Sequence, residues 1–175
     1  MRATRCRFKE DIMTTIDDGE PFHRHKMAAA PKTEKRSRQH KLKESQMAAP
    51  IRAWLCDQGL CVHYEVRLAA KRVDVVGLPQ NADESEPWTG VELKLTKWKD
   101  ALFQATANSL VFDYNYVALW HQSIRAALRS RAAFEEAGVG LMSVSEDGIK
   151  ILIEPQKQRR LGQIASKLSV RARIP

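Results

Sequence analysis

Two short apolar runs with charges set into them constrain this chain most: Arg72-Val-Asp-Val-Val-Gly77 and Val91-Glu-Leu-Lys-Leu95. Val73, Val75 and Val76 are β-branched, while Val91, Leu93 and Leu95 alternate with Glu92 and Lys94, so both runs read as strands. Side chains repeat every second residue along a strand. Glu92 and Lys94 therefore project from one face, and Val91, Leu93 and Leu95 fill the other. The connection from Pro79 to Gly90 is polar and rich in breakers, and it can turn the second strand back beside the first. Asp74 would then lie next to Glu92 and Lys94. Two carboxylates that close repel unless something positive sits between them, which points to a divalent cation with Lys94 as the local partner. The same Glu-x-Lys pattern also suits a solvated strand face carrying one modest ion pair, so its context must decide.

The 175 residues suffice for one domain with a real core plus tails. No apolar run approaches the ~20 residues that cross a bilayer, and the first residues lack an uninterrupted apolar signal core. Cys6, Cys56 and Cys61 stand at spacings that suit reduced thiols of a cytoplasmic protein, with Cys56 and Cys61 expected as small core residues. The formal charge of +8 is unevenly spread. Residues 1–41 hold eleven Lys/Arg against six Asp/Glu, residues 156–175 hold six bases and no acid, and residues 42–155 hold twelve bases and fifteen acids. A mildly acidic core with basic arms suits an enzyme whose centre holds metal and whose arms touch phosphates; basic tails also simply keep a small protein in solution.

Three parts follow from this: a basic, largely flexible arm over 1–41, a folded domain over 42–155 and a basic tail over 156–175. His23 and His25 lie in the arm without the cysteine or carboxylate pattern that would complete a metal site. A helix is predicted over Leu42–Gln58, with Met47, Ile51, Trp54 and Leu55 on one stripe, Gly59 as its stop, and a kink or restart at Pro50. Strands follow at Cys61–Leu68 and at the two charged runs. A second helix over Trp98–Val111 turns Trp98, Leu102, Ala105 and Ser109 inward, with Gln104 at the edge of that face. Next come an apolar strand over Asp113–Trp120, a helix over Ser123–Ala137 and a hairpin of Val139–Val144 and Ile149–Ile153 around Glu146-Asp-Gly148. The fold class is thus α/β, with a mixed central sheet flanked by helices, an αβββαβ core and a C-terminal hairpin. Any helix in the tail falls around Arg160–Leu168.

This order of elements, with Asp on one strand, Glu-x-Lys on the next and Gln on the following helix, resembles the α+β, restriction-endonuclease-like core of the PD-(D/E)XK nuclease superfamily. Glu44-Ser-Gln-Met-Ala-Ala-Pro, Leu55, Gln58-Gly59, Tyr64-Glu-Val66, the Asp74 strand, Val91–Leu95 and Leu102-Phe-Gln-Ala105 are similar to its putative-phosphodiesterase branch, over roughly residues 43–155. The resemblance implies Asp74 and Glu92 as metal-binding carboxylates, Lys94 as the catalytic lysine, Glu44 as an accessory acid at the metal and Gln104 as a further site residue. The cofactor it implies is Mg²⁺ or Mn²⁺, and its products are a 5′-phosphate and a 3′-hydroxyl. Val73 stands where the name-giving proline would be. Asn108 stands where some exonuclease branches carry tyrosine, so that branch's activity is not carried over.

The function expected on these grounds is metal-dependent hydrolysis of nucleic acid, DNA favoured over RNA, in the cytoplasm and without a membrane; a homodimer is compatible with it. Lys97, Lys99, Arg159 and Arg160 are candidate phosphate contacts. The alternative is a catalytically silent nucleic-acid-binding or regulatory protein on the same fold. Glu65 flanks the cluster and more readily points away from it. His121 reads as a cap-region residue, Trp54, Trp98 and Trp120 as core, and Trp88, in a loop, as a surface for stacking on a base.

Overall fold

The computed structural model describes residues 43–68, 71–80, 85–159 and 163–172. The arm over 1–41 with its two histidines, the loop acids Asp83 and Glu84, and Arg160 lie outside the described residues.

A 3₁₀ turn over Glu44–Met47 runs into helix α1 (Ala48–Asp57). The change of helix type falls just before Pro50, which thereby sits in the first turn of α1. Backbone N–H groups there have no partner within the helix, so the proline costs little and marks a restart. Gly59 follows with φ 76°, a left-handed conformation that glycine adopts without a Cβ clash. Six strands come next in the chain: β1 (Leu60–Leu68), β2 (Lys71–Pro79), β3 (Thr89–Lys94), β4 (Tyr114–Trp120), β5 (Gly140–Ser145) and β6 (Gly148–Ile153). They form one sheet in sequence order. β1, β2 and β3 are antiparallel neighbours, β3–β4 and β4–β5 are parallel, and β5–β6 closes as an antiparallel hairpin.

Each parallel pair needs a crossover. α2 (Trp98–Asn108) supplies the first, and α3 (Ile124–Leu128) with α4 (Arg131–Ala137) the second. The helix predicted over Ser123–Ala137 is thus two helices, broken at Arg129–Ser130. Both crossovers cover the same face, where Ala101, Ala105, Ala127 and Phe134 pack on Val117, Leu119 and Leu141. The 3₁₀ turn and α1 cover the other face, setting Met47, Ile51 and Leu55 against Val75, Val91, Leu93, Ala118 and Met142. Of the residues predicted to turn inward, Ala105 and Ser109 are buried, while Trp98 and Leu102 pack only partly buried against the core; Ala101 and Asn108 complete the buried stripe. Small residues let the helix approach the sheet closely and leave Trp98 and Leu102 half-buried at its flanks. Trp54 and Trp120 are likewise half-buried, while Cys56 and Cys61 are exposed on the margins of α1 and β1.

The segment after Pro155, read from sequence as a tail, contributes an element of the domain. α5 (Gln163–Arg171) buries Val170 against Val66, Val76, Leu78, Trp88 and Phe112. Lys167 is 2% exposed, and its Nζ lies 2.7 Å from Oδ2 of Asp113, itself 5% exposed. The same Oδ2 accepts the Trp88 N–H at 2.8 Å, and Lys167 also donates to the Glu86 carbonyl at 3.0 Å. Trp88 is wholly buried beneath this latch, 5.4 Å from the ammonium. It therefore offers no surface to a base.

Removing one partner of a buried pair strands the other charge, which costs about 3–5 kcal/mol, whereas replacing both by apolar groups is often neutral. Lys167→Met is accordingly expected to lower stability by that amount in urea titrations, and Asp113→Leu combined with it to regain part of the loss, the Trp88 N–H then lacking its acceptor. A single variant as stable as the parent would show that the pair does not hold α5.

Candidate active site

The antiparallel register Val75↔Val91 and Val76↔Gly90 brings Asp74 beside Glu92 and Leu93. Opposed residues of an antiparallel pair point to one face, so Asp74, Glu92 and Lys94 share the α2 side of the sheet. Asp74 is fixed by backbone: its Oδ2 accepts the Leu93 N–H at 2.8 Å. Lys94 Nζ stands 3.8 Å from that oxygen and 3.8 Å from Oε2 of Glu44, and donates to the Leu93 carbonyl at 3.0 Å. Glu44 reaches in from the 3₁₀ turn before α1, its Oε1 accepting the Leu95 N–H at 3.3 Å. Lys94 thus bridges Glu44 and Asp74.

Glu92 is only 2% exposed and accepts a 2.7 Å hydrogen bond from the Asn108 side-chain amide on α2. Burial, and next to it the Asp74 carboxylate, push its pKa up to about 7; the Asn108 hydrogen bond and the charge of Lys94 pull the other way without winning. Near neutral pH the buried pair therefore carries a proton or needs a cation. One oxygen of each carboxylate is committed to a protein donor, which leaves Asp74 Oδ1 and Glu92 Oε2 as the hard donors a Mg²⁺ or Mn²⁺ would take, with water completing its shell. The donor chemistry fits such a cation. Among the described residues no three His, Cys, Asp or Glu side chains gather into a ready-made cage, and Glu44 spends its oxygens on the Leu95 N–H and Lys94.

The remaining expected residues stand apart from this cluster in varying degree. Gln104 lies one turn before Asn108 on α2, half-buried, with Oε1 enclosed and without a hydrogen-bond partner. Lys97, Lys99 and Arg159 are exposed, Lys99 over the Trp98 ring at 5.6 Å, and no ion pair ties them to the carboxylates. Glu65 falls opposite Asp74 but breaks the ladder there with φ 53°, and its carboxylate pairs with Arg72 at 3.2 Å on the surface. His121 is exposed in the 3₁₀ turn after β4, against the Trp120 ring. Asn108 is the site residue that sequence reasoning missed. Its signal was a polar side chain four residues after Gln104, on the helix face turned to the sheet.

No protein-family model and no curated protein matches the chain. Among solved structures it is similar to the SPO1766 protein of unknown function from Silicibacter pomeroyi, with TM-score 0.54 and 20% identity over 75% of this chain and 83% of that one. At that identity the likeness concerns the fold, a mixed sheet flanked by helices.

A carboxyl whose pKa rises from 4.5 unfolded to about 7 folded stabilises the fold in its protonated state. With chelator present, that contribution is complete below pH 4.5 and is lost as pH climbs through 7, a fall on the order of 3 kcal/mol. Thermal melts of Glu92→Gln should lack this slope and exceed wild type at pH 8. Parallel curves for the two proteins would show Glu92 to be ionised without penalty.

Proposed function

We propose that this chain is a metal-dependent nuclease with a PD-(D/E)XK, restriction-endonuclease-like core, hydrolysing phosphodiester bonds of nucleic acid, DNA favoured, in the cytoplasm. The observation that carries the reading is the convergence of Asp74, Glu92 and Lys94 on one face of the sheet, with Lys94 Nζ 3.8 Å from Asp74. Three costly groups are held together there by a strand register and by an amide from α2. The element order, from the Glu44 turn through α2 to β4, is the one the superfamily resemblance calls for.

A divalent cation held by Asp74 and Glu92 would supply charge for the phosphoryl oxygens and lower the pKa of water. The protein's own groups divide the remaining work. Lys94, 19% exposed, faces solvent enough to meet a phosphate and opposes the negative charge that grows on it in the transition state. Glu44 and Asp74 flank its ammonium and hold it in place. The Leu93 N–H orients Asp74, and the Asn108 amide orients Glu92 and favours its ionised form. Gln104, whose buried oxygen one turn before Asn108 lacks a donor, would accept one from bound substrate or water. Lys97, Lys99 and Arg159 would meet flanking phosphates from the surface.

Digestion of DNA in Mg²⁺ or Mn²⁺ tests this. Lys94→Ala and Asp74→Asn are each expected to lower the rate about 100-fold or more while the fold survives. Wild-type rates in Lys94→Ala would remove it from the chemistry. A wild type that binds nucleic acid, ever more weakly as salt rises, yet cleaves nothing would make the chain a binding protein.

A further inference from the structure

Beside Asn108 a cleft of about 600 Å³ opens between α2 and α5. Leu68, Ala107, Val111 and Val170 give it apolar walls, and Lys71 and Ser169 stand among them as polar points. Asn108 belongs to both places: it lines the cleft and its amide holds Glu92 at 2.7 Å. An occupant of the cleft therefore lies one side chain from the carboxylate pair. The surroundings are unusual for a protein surface. Of the five large apolar side chains exposed among the described residues, Phe103 stands on α2, Leu110 just past its end, and Ile164 and Leu168 on α5; Tyr64 on β1 is the fifth. Lys71 lies over the Phe103 ring, its Nζ 5.0 Å from the centroid.

An apolar slot with a lysine at one wall, adjoining the carboxylate pair, has the chemistry of one nucleotide. A flat base fills the apolar space, and a phosphate meets the Lys71 ammonium at its wall. A base still paired and stacked in a duplex cannot enter between two helices, and one already unpaired does so without the cost of extrusion. We infer that the α2–α5 cleft seats an unpaired nucleobase next to the scissile phosphate, so that the substrate is single-stranded or locally unpaired nucleic acid. This rests on the nuclease reading for the word substrate; the binding it describes can be measured apart from cleavage.

The test is fluorescence anisotropy of the full chain, without divalent cation, against a short labelled DNA strand and the same strand annealed to its complement. Ala107→Leu and Ser169→Leu narrow the cleft from opposite walls, and Ser169 is exposed, so that variant folds even where the first does not. The single strand is expected to bind more tightly than the duplex, and each variant to weaken it roughly ten-fold with duplex binding unchanged. Equal affinity for the two forms, or variants that bind the single strand like wild type, would overturn the assignment. So would sedimentation showing a dimer that the variants dissociate, since the cleft would then be a contact between copies. Single-strand binding that responds to the variants in a protein that cleaves nothing would sink the nuclease reading and leave the cleft's ligand standing. Cleavage with variant-insensitive binding would do the reverse.

Discussion

The pairing of β2 with β3 is the constraint from which the rest of the site follows. Val75 opposite Val91 leaves Asp74 facing the Glu92–Leu93 step, and a slip by one residue would send Asp74 to the α1 side, into the core built by Val75, Val91 and Leu93. Burial of that apolar face thus fixes the register, and the register fixes the distance between the acids. The Leu93 N–H bond to Asp74 adds a direct tie between the two strands at the point where their charges meet.

The arrangement is costly by design of its surroundings. Glu92 sits under α2 in a layer otherwise made of Ala101, Ala105, Val117 and Leu119, and a carboxylate there is poorly solvated. Asn108 supplies a single hydrogen bond, and the nearest cation, Lys94, is shared among Asp74, Glu44 and the Leu93 carbonyl. A core selected for stability alone would place an apolar residue at 92. Unmet electrostatics gathered at one point of the sheet are a usual mark of a functional site. The other buried acid among the described residues is paired: Asp113 has both Lys167 and the Trp88 N–H.

What was legible in the sequence is what depends on neighbours along the chain. Period-two alternation gave the strands and put Glu92 with Lys94; Gly59, the Glu146-Asp-Gly148 turn and the apolar run from Tyr114 gave element ends and order. The mixed sheet flanked by helices followed from these. The partnerships that were not legible link distant positions. Lys167 reads as one more solvated base in a basic tail until Asp113, more than fifty residues earlier, takes it into the core. Trp88 reads as a loop residue until α5 covers it. Asn108 carries no signal of its own beyond its helix face; only its distance to Glu92 gives it a role. Cys56 and Cys61 sit in apolar sequence yet lie on outward positions of α1 and β1, because a short apolar run does not say which of its members faces in.

The central claim is that Asp74 and Glu92 are held together for a divalent cation. Calorimetric titration of Mn²⁺ into the protein at pH 7 tests it most directly. One binding event is expected, accompanied by release of part of a proton because Glu92 is pushed up to about 7, and abolished in Asp74→Asn. Absence of binding to wild type, or binding that survives unchanged in Asp74→Asn, would contradict it.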